Sequence, residues 1–332
     1  MLVKRPDPAR SLPVSKIIDI FRRTPEIFSI YWMLFRITVP VTILAEVASR
    51  LGLIEWMAPV FSPVMNLVGL PPELGLAWLT AMIVGMWGAV PLLFSLVDIS
   101  TLSIADVTIF SVLMLFAHGL PIEQKIIQQA GPGMTITTVL RIAGALGYGF
   151  ILHHLFTATG WLSAPVDPVW IPLSGATTWS DFFLGLGEAM IWMFVILVGL
   201  FWVLEIMKLI GLMDFLMRAL SPMLRLAGIK GEAGELTAIG LFLGISYGAG
   251  FLVKEARSGR VSPRQVFLSC AFMGFAHSVI EDTILVLALG ADIYTVLVGR
   301  VIFAVIATGI IALLLRSVSD TTFLATLYRQ KA

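Results

Sequence analysis

Apolar residues fall into two successive series of five stretches, separated by short polar or glycine- and proline-rich runs. The first series opens with a long apolar stretch at 27–49 and the second with one at 184–209. Shorter amphipathic pieces follow at 54–68 and 213–227. Third come apolar segments interrupted by glycine, 74–97 and 236–253. The fourth stretches, 104–129 and 263–289, each carry one histidine, and the fifth, 135–156 and 293–315, are again apolar. Stretches of about 20 apolar residues are long enough to cross a bilayer as helices. Strands of a β-barrel would alternate in polarity over about ten residues, and that period is missing here.

The two series match residue by residue. Phe116, Ala117, His118, Gly131 and Arg141 each recur 159 positions later, as Phe275, Ala276, His277, Gly290 and Arg300, and Glu123 falls on Asp282. At the same offset Phe35 meets Phe194, Glu46 meets Glu205, Gly52 meets Gly211 and Ser62-Pro63 meets Ser221-Pro222. So many matches in one register indicate an internal duplication. The boundaries expected are a polar leading segment at 1–25, a first membrane repeat at 26–160, a linker at 161–180, a second repeat at 181–318 and a tail at 319–332.

Basic residues orient the halves, because Lys and Arg collect on the cytoplasmic side. Lys4, Arg5, Arg10, Lys16, Arg22 and Arg23 precede the first half, and the equivalent stretch before the second half has none. Between the third and fourth stretches the bias reverses: Asp98 and Asp106 in the first half, Lys254, Arg257, Arg260 and Arg264 in the second. Opposite orientation needs an odd number of crossings per half. Three crossings result if the second and third stretches form a hairpin that enters and leaves on one side. Trp87-Gly88-Ala89-Val90-Pro91 and Tyr247-Gly248-Ala249-Gly250 are the expected breaks, since Gly and Pro open helical backbone. Inverted repeats with broken helices meeting near the midplane are the pattern of secondary transporters.

Composition agrees. Of 332 residues, 58% are hydrophobic and 13% charged, with mean hydropathy +0.95, about half the charge of a soluble domain. A net charge of +1 gives no reason to expect nucleic acid. The single Cys270 excludes an internal disulfide, and the polar, basic start has no cleavable apolar core. The fold class expected is an all-α multi-pass membrane protein of two inverted repeats with re-entrant or broken helices. It is placed in the bacterial inner membrane, with both termini cytoplasmic.

The broken segments, followed by Ala-His runs at 117–118 and 276–277, resemble the "nucleoside recognition" or gate-domain membrane proteins. That group includes ferrous-iron transporter gates, spore-maturation membrane proteins and parts of concentrative nucleoside transporters. The resemblance implies a transporter-like core of re-entrant hairpins and broken helices, and it leaves the substrate open. No Gly-x-x-x-x-Gly-Lys-Ser/Thr run accompanies it, so nucleotide-driven transport by this chain alone is not expected.

Ionisable residues inside membrane segments are costly and mark function. His118 and His277 are the first candidates for substrate binding, as ligands or proton acceptors. Glu123, Glu281 and Asp282 follow them, with Gln124 adding polar capacity. Gly119-Leu120-Pro121 reads as a break and restart, with Pro near a first helical position. Ser278 to Glu281 reads as a capping box. Both place a new helix start just after each histidine, where free N–H groups hold anions. Arg141 and Arg300 are read as structural partners of Glu123 and Asp282, or as an anion clamp. Trp87, Gly88, Tyr247 and Gly248 are hairpin-tip candidates for contact with a planar solute. No compact metal-ligand spacing occurs, so no metal and no cofactor are expected. Ser278 and His277 are helix neighbours that point apart, which argues against an enzyme.

The function expected is secondary transport of a small polar or anionic solute by alternating access; titration of His118, His277, Glu123 or Asp282 could couple it to protons, and the sequence leaves the coupling ion open. The alternatives are a divalent metal permease, and a non-transporting receptor or assembly factor whose centre would be dry and self-satisfied. The partners expected are a small-molecule or ion substrate and membrane lipids, without nucleic acid; a homo-oligomer is compatible.

Overall fold

The computed structural model describes residues 24–167, 178–231 and 233–328. The basic residues before 24, half of the linker (168–177), and the side chains of Glu205 and Tyr247 lie outside the described residues. Among the described residues no strand forms, and two isolated bridges tie Ser103 to Pro165 and Pro132 to Tyr328.

The first half begins with α1 (Thr24–Arg50) and the amphipathic α2 (Leu53–Leu67). The third stretch is α3 (Leu74–Val84) and α4 (Met86–Leu96); the fourth is α5 (Ile104–Phe116) and α6 (Leu120–Ala130). The fifth is α7 (Met134–Thr159). The second half repeats the order with α8 (Trp179–Leu209), α9 (Leu212–Leu226), α10 (Ala233–Tyr247), α11 (Ala249–Ala256), α12 (Pro263–Phe275) and α13 (Glu281–Ala288). A π-helical turn, Tyr294–Gly299, leads into α14 (Arg300–Leu315), and a short α15 (Asp320–Thr326) ends the described chain.

Among the described residues, three helical segments are long and apolar enough to cross a membrane: Met134–Thr159, Trp179–Gly199 and Tyr294–Leu315. The pair α5 and α6, bent by 41°, provides a fourth if counted as one broken span. Leu184, Ile191, Ile306, Ile310, Leu313 and Leu314 are exposed on these helices. An apolar surface of that extent is stable in lipid and not in water.

The sharpest break in each third stretch lies before the expected sites. It falls at Gly85 (φ 118°, ψ 173°), not within 87–91, and at Gly244 (φ 81°, ψ 166°), not within 247–250. Only glycine adopts this region without strain. Pro91 lies within α4, and Gly248 keeps helical angles. After Gly85 the chain folds back: an added Cβ on Gly88 would lie 2.8 Å from Val84 and 3.6 Å from Thr80. Eight residues along a straight helix would separate those positions by about 12 Å. The α3 and α4 arms have 11 residues each, about 16 Å or half a bilayer's hydrocarbon thickness.

Several local devices recur at the 159 offset. Gly52 and Gly211 are left-handed with φ 71° and 72°, and each precedes its amphipathic helix. Ser103 and Ser262 cap α5 and α12 through their side chains. The capping box expected at Ser278 does not form: Ile280 is the N-cap of α13 and no side chain caps it. Ser278 instead takes φ 45°, strained for a non-glycine residue.

Contacts at the helix ends record how the halves lie. Ile104 N donates to Ala164 O, so α5 starts where α7 ends. Arg264 Nη1 donates to Leu315 O, so α12 starts where α14 ends. Gly133 N donates to Leu327 O, which sets the start of α7 beside the segment that follows α14.

Candidate functional site

The histidine-bearing helices break just after each histidine. α5 ends at Phe116, Gly119 turns left-handed (φ 55°), and α6 restarts with Pro121 in its first turn. α12 ends at Phe275, and α13 begins at Glu281. The interrupted third segments brace both breaks. Gly119 N donates to Ala81 O at 2.9 Å, and Val279 N donates to Leu241 O at 2.8 Å. These bonds satisfy backbone that the breaks would leave bare in an apolar setting.

At the two breaks the halves meet. His118 Nε2 lies 3.3 Å from His277 Nε2, with ring centres 4.8 Å apart. Each ring is steered by its own helix: Nδ1 of His118 bonds Met114 O at 2.9 Å and Nδ1 of His277 bonds Met273 O at 2.8 Å. The carboxylates converge on the same point. Glu123 approaches His277 Nε2 at 3.4 Å and His118 Nε2 at 3.7 Å, and Asp282 Oδ2 lies 3.7 Å from His118 Nε2. All four side chains are buried.

Two buried arginines brace the breaks from the fifth helices. Arg141 donates to Phe116 O and His118 O, and Arg300 donates to the equivalent Phe275 O and His277 O. Each guanidinium thus closes the open end of the histidine helix. Arg300 also reaches across to Leu115 O, while Arg141 packs against Gly274, the equivalent of Leu115.

The halves differ in their carboxylates. Arg141 Nη1 donates to Glu123 Oε2 at 2.6 Å. Asp282, one methylene shorter, makes no such pair with Arg300. Asp282 Oδ2 and Arg300 Nη1 are buried without a hydrogen-bond partner among the described residues. Buried polar atoms are rarely left so, since each costs about 1–3 kcal/mol. Gln124 accepts from Thr137 Oγ1 at 2.7 Å, and its Nε2 is also unpartnered, as is Thr283 Oγ1 at the equivalent position. Phe116, Phe275, Phe303 and Tyr148 stack into an aromatic block beside the cluster, with Arg300 5.8 Å above the Phe116 ring.

Of the expected site residues, His118, His277, Glu123, Asp282, Arg141 and Arg300 come together here. Gln124 is buried one turn into α6, and Glu281 is half-buried at the first position of α13. Trp87 and Gly88 lie on the α4 arm; the hairpin reaches the cluster through Ala81 O instead. Gly248 sits between α10 and α11. Glu46 pairs with Arg50 at 2.7 Å, away from the cluster. Gly85, Gly244 and Thr137 were not among the expected residues. The two glycines carried a readable signal, since they recur at the shared offset.

Spanning helices, lipid-facing apolar surface and broken helices around buried charge define a multi-pass helical membrane protein. The chain is 25% identical over 289 residues to YvoD, an uncharacterized membrane protein of Bacillus subtilis (strain 168), across 86% of this chain and 91% of that one. No family model and no solved structure matches the chain, so the likeness to gate-domain proteins rests on its motifs.

Proposed function

We propose that the chain is a secondary transporter that moves a small polar or anionic solute by alternating access between two inverted repeats. The observation that carries this reading is the meeting of two broken helices at one buried ionisable cluster, with His118 and His277 3.3 Å apart. Helix breaks at membrane depth are tolerated where they are covered by protein or line a cavity, and transporter sites lie where such breaks meet. The end contacts support inversion. α7 starts near the end of α14 and ends near the start of α5, while α12 starts near the end of α14. These contacts support the opposite senses that this reading gives to equivalent helices.

A sealed assembly factor would satisfy its own centre. Here Arg300 Nη1, Asp282 Oδ2, Gln124 Nε2 and Thr283 Oγ1 are unpartnered, a donor and acceptor set suited to a polar solute. The guanidinium N–H is the donor an anionic group would take. Protons are the coupling ion in this reading, carried by the histidines and Asp282.

The test is solute-dependent thermal stabilisation of the purified protein across nucleosides, organic acids and inorganic anions, followed by uptake into proteoliposomes. The reading expects a stabilising solute whose effect and uptake disappear in His118→Ala/His277→Ala. Unchanged stabilisation and uptake in that variant would refute the site assignment.

A further inference from the structure

We propose that His118, His277 and Asp282 form a binding site for one divalent transition-metal cation. The inference goes beyond the transport reading and does not depend on it.

The tautomers come first. Each Nδ1 faces a backbone carbonyl, at 2.9 Å for His118 and 2.8 Å for His277. A carbonyl can only accept, so Nδ1 carries the proton in both rings. A neutral imidazole has one N–H, so both Nε2 atoms present lone pairs. Those lone pairs face each other at 3.3 Å, a repulsive arrangement that a cation between them relieves.

The spacing suits a metal. His118 Nε2 lies 3.3 Å from His277 Nε2 and 3.7 Å from Asp282 Oδ2, and one ligand atom from each of the three residues falls within 4.8 Å of the others. Ligand atoms about 2.0–2.2 Å from a tetrahedral ion sit about 3.3–3.6 Å apart, close to the His–His separation. The Nδ1–H to carbonyl bond is the outer contact that orients metal-ligating histidines. Two imidazoles and a carboxylate suit Zn²⁺, Mn²⁺, Fe²⁺ or Co²⁺ more than Mg²⁺ or Ca²⁺.

Charge agrees as well. Glu123 is neutralised by Arg141 at 2.6 Å, which leaves Asp282 as the anionic ligand. A single shared proton is the rival occupant. It would join the two rings but leave Asp282 Oδ2, 3.7 Å from His118 Nε2, without a partner. A metal engages all three groups.

The test uses the full-length protein in nanodiscs, stripped with a chelator and titrated with Co²⁺. The site predicts one Co²⁺ per chain with the visible absorption of a low-coordinate ion, displaced by Zn²⁺. His277→Gln and Asp282→Asn should each weaken Co²⁺ binding at least about ten-fold, while His154→Gln, on an exposed histidine, binds as wild type. If His277→Gln fails to fold, Asp282→Asn and the wild-type spectrum carry the test. Folded His277→Gln or Asp282→Asn protein that binds Co²⁺ like wild type overturns the proposal. So does wild-type protein that takes no Co²⁺ while its histidine pair titrates with one proton. Solute uptake without Co²⁺ binding sinks only the cation site; Co²⁺ binding without solute uptake sinks only the transport reading.

Discussion

Arg141 Nη1 donates to Glu123 Oε2 at 2.6 Å, and the equivalent Arg300 makes no such bond to Asp282. One methylene separates the two halves here, and it turns a closed ion pair into an open pair of buried groups. That asymmetry separates what stabilises the centre from what is left for a ligand.

Glu123→Gln removes one partner of a buried pair and leaves the Arg141 charge uncompensated. Such losses cost about 3–5 kcal/mol. Asp282→Asn breaks no pair with a guanidinium and loses only the 3.7 Å approach to His118, so its cost is expected at about 1 kcal/mol. Thermal unfolding in one detergent should therefore rank Glu123→Gln well below Asp282→Asn. The opposite ranking would show that Asp282 is the structural member.

Gly85 and Gly244 make the same backbone excursion in different surroundings. Alanine at either position pays about 1–3 kcal/mol for the strained backbone. At Gly244 the new methyl would also lie 2.2 Å from Ser278 Oγ, whereas at Gly85 nothing lies within 4 Å. Gly244→Ala should be the less stable of the two and should displace the segment after His277. Equal melting temperatures would remove Ser278 from that contact.

The C-terminal segment fastens both halves on one face. Arg264 donates to Asp320, Leu315 O and Val318 O, and stacks on Phe323 at 4.9 Å. Tyr328 donates to Ala130 O at 3.2 Å, and burial pushes its phenol up to about 12, so the donor stays protonated at physiological pH. Arg264→Ala should speed tryptic cleavage after Arg316 several-fold; an unchanged rate would mean that the segment is held by packing alone. Gly131→Ala would drive a methyl to within 2.2 Å of the Tyr328 ring and should loosen the same segment from the other side. Tyr328→Phe should remove about 1 kcal/mol.

Much of the architecture was legible because lipid imposes strong rules. Long apolar runs located α1, α7, α8 and, with its π-helical turn, α14 to within a few residues, and the 159 offset paired Arg141 with Arg300 and His118 with His277 from the sequence alone. The break after each histidine was also readable, from Gly119 and Pro121 in one half and Ser278 in the other. What could not be read was set by three-dimensional packing. Trp87 and Pro91 drew attention as a tip, yet the chain turns at Gly85: a positive φ leaves no mark on hydropathy, and only the recurrence of Gly85 as Gly244 hinted at it. The Ser278 motif looked like a cap, but the segment takes another conformation, with Ser278 against Gly244 and Val279 N bonded to Leu241 O. The convergence of His118, His277 and Asp282 had no compact spacing to announce it, since the donors come from opposite halves.

Accessibility of the break to reagent from the two membrane faces is the most direct test of alternating access. Cys270 is the chain's single cysteine and is buried at 2% exposure, so Cys270→Ser gives a thiol-free background. Ser278→Cys then places one thiol beside His277. Impermeant maleimide, applied to right-side-out and to inverted vesicles, should label that thiol from both sides. Labelling from one side only, or from neither, would contradict a centre that opens alternately to each face.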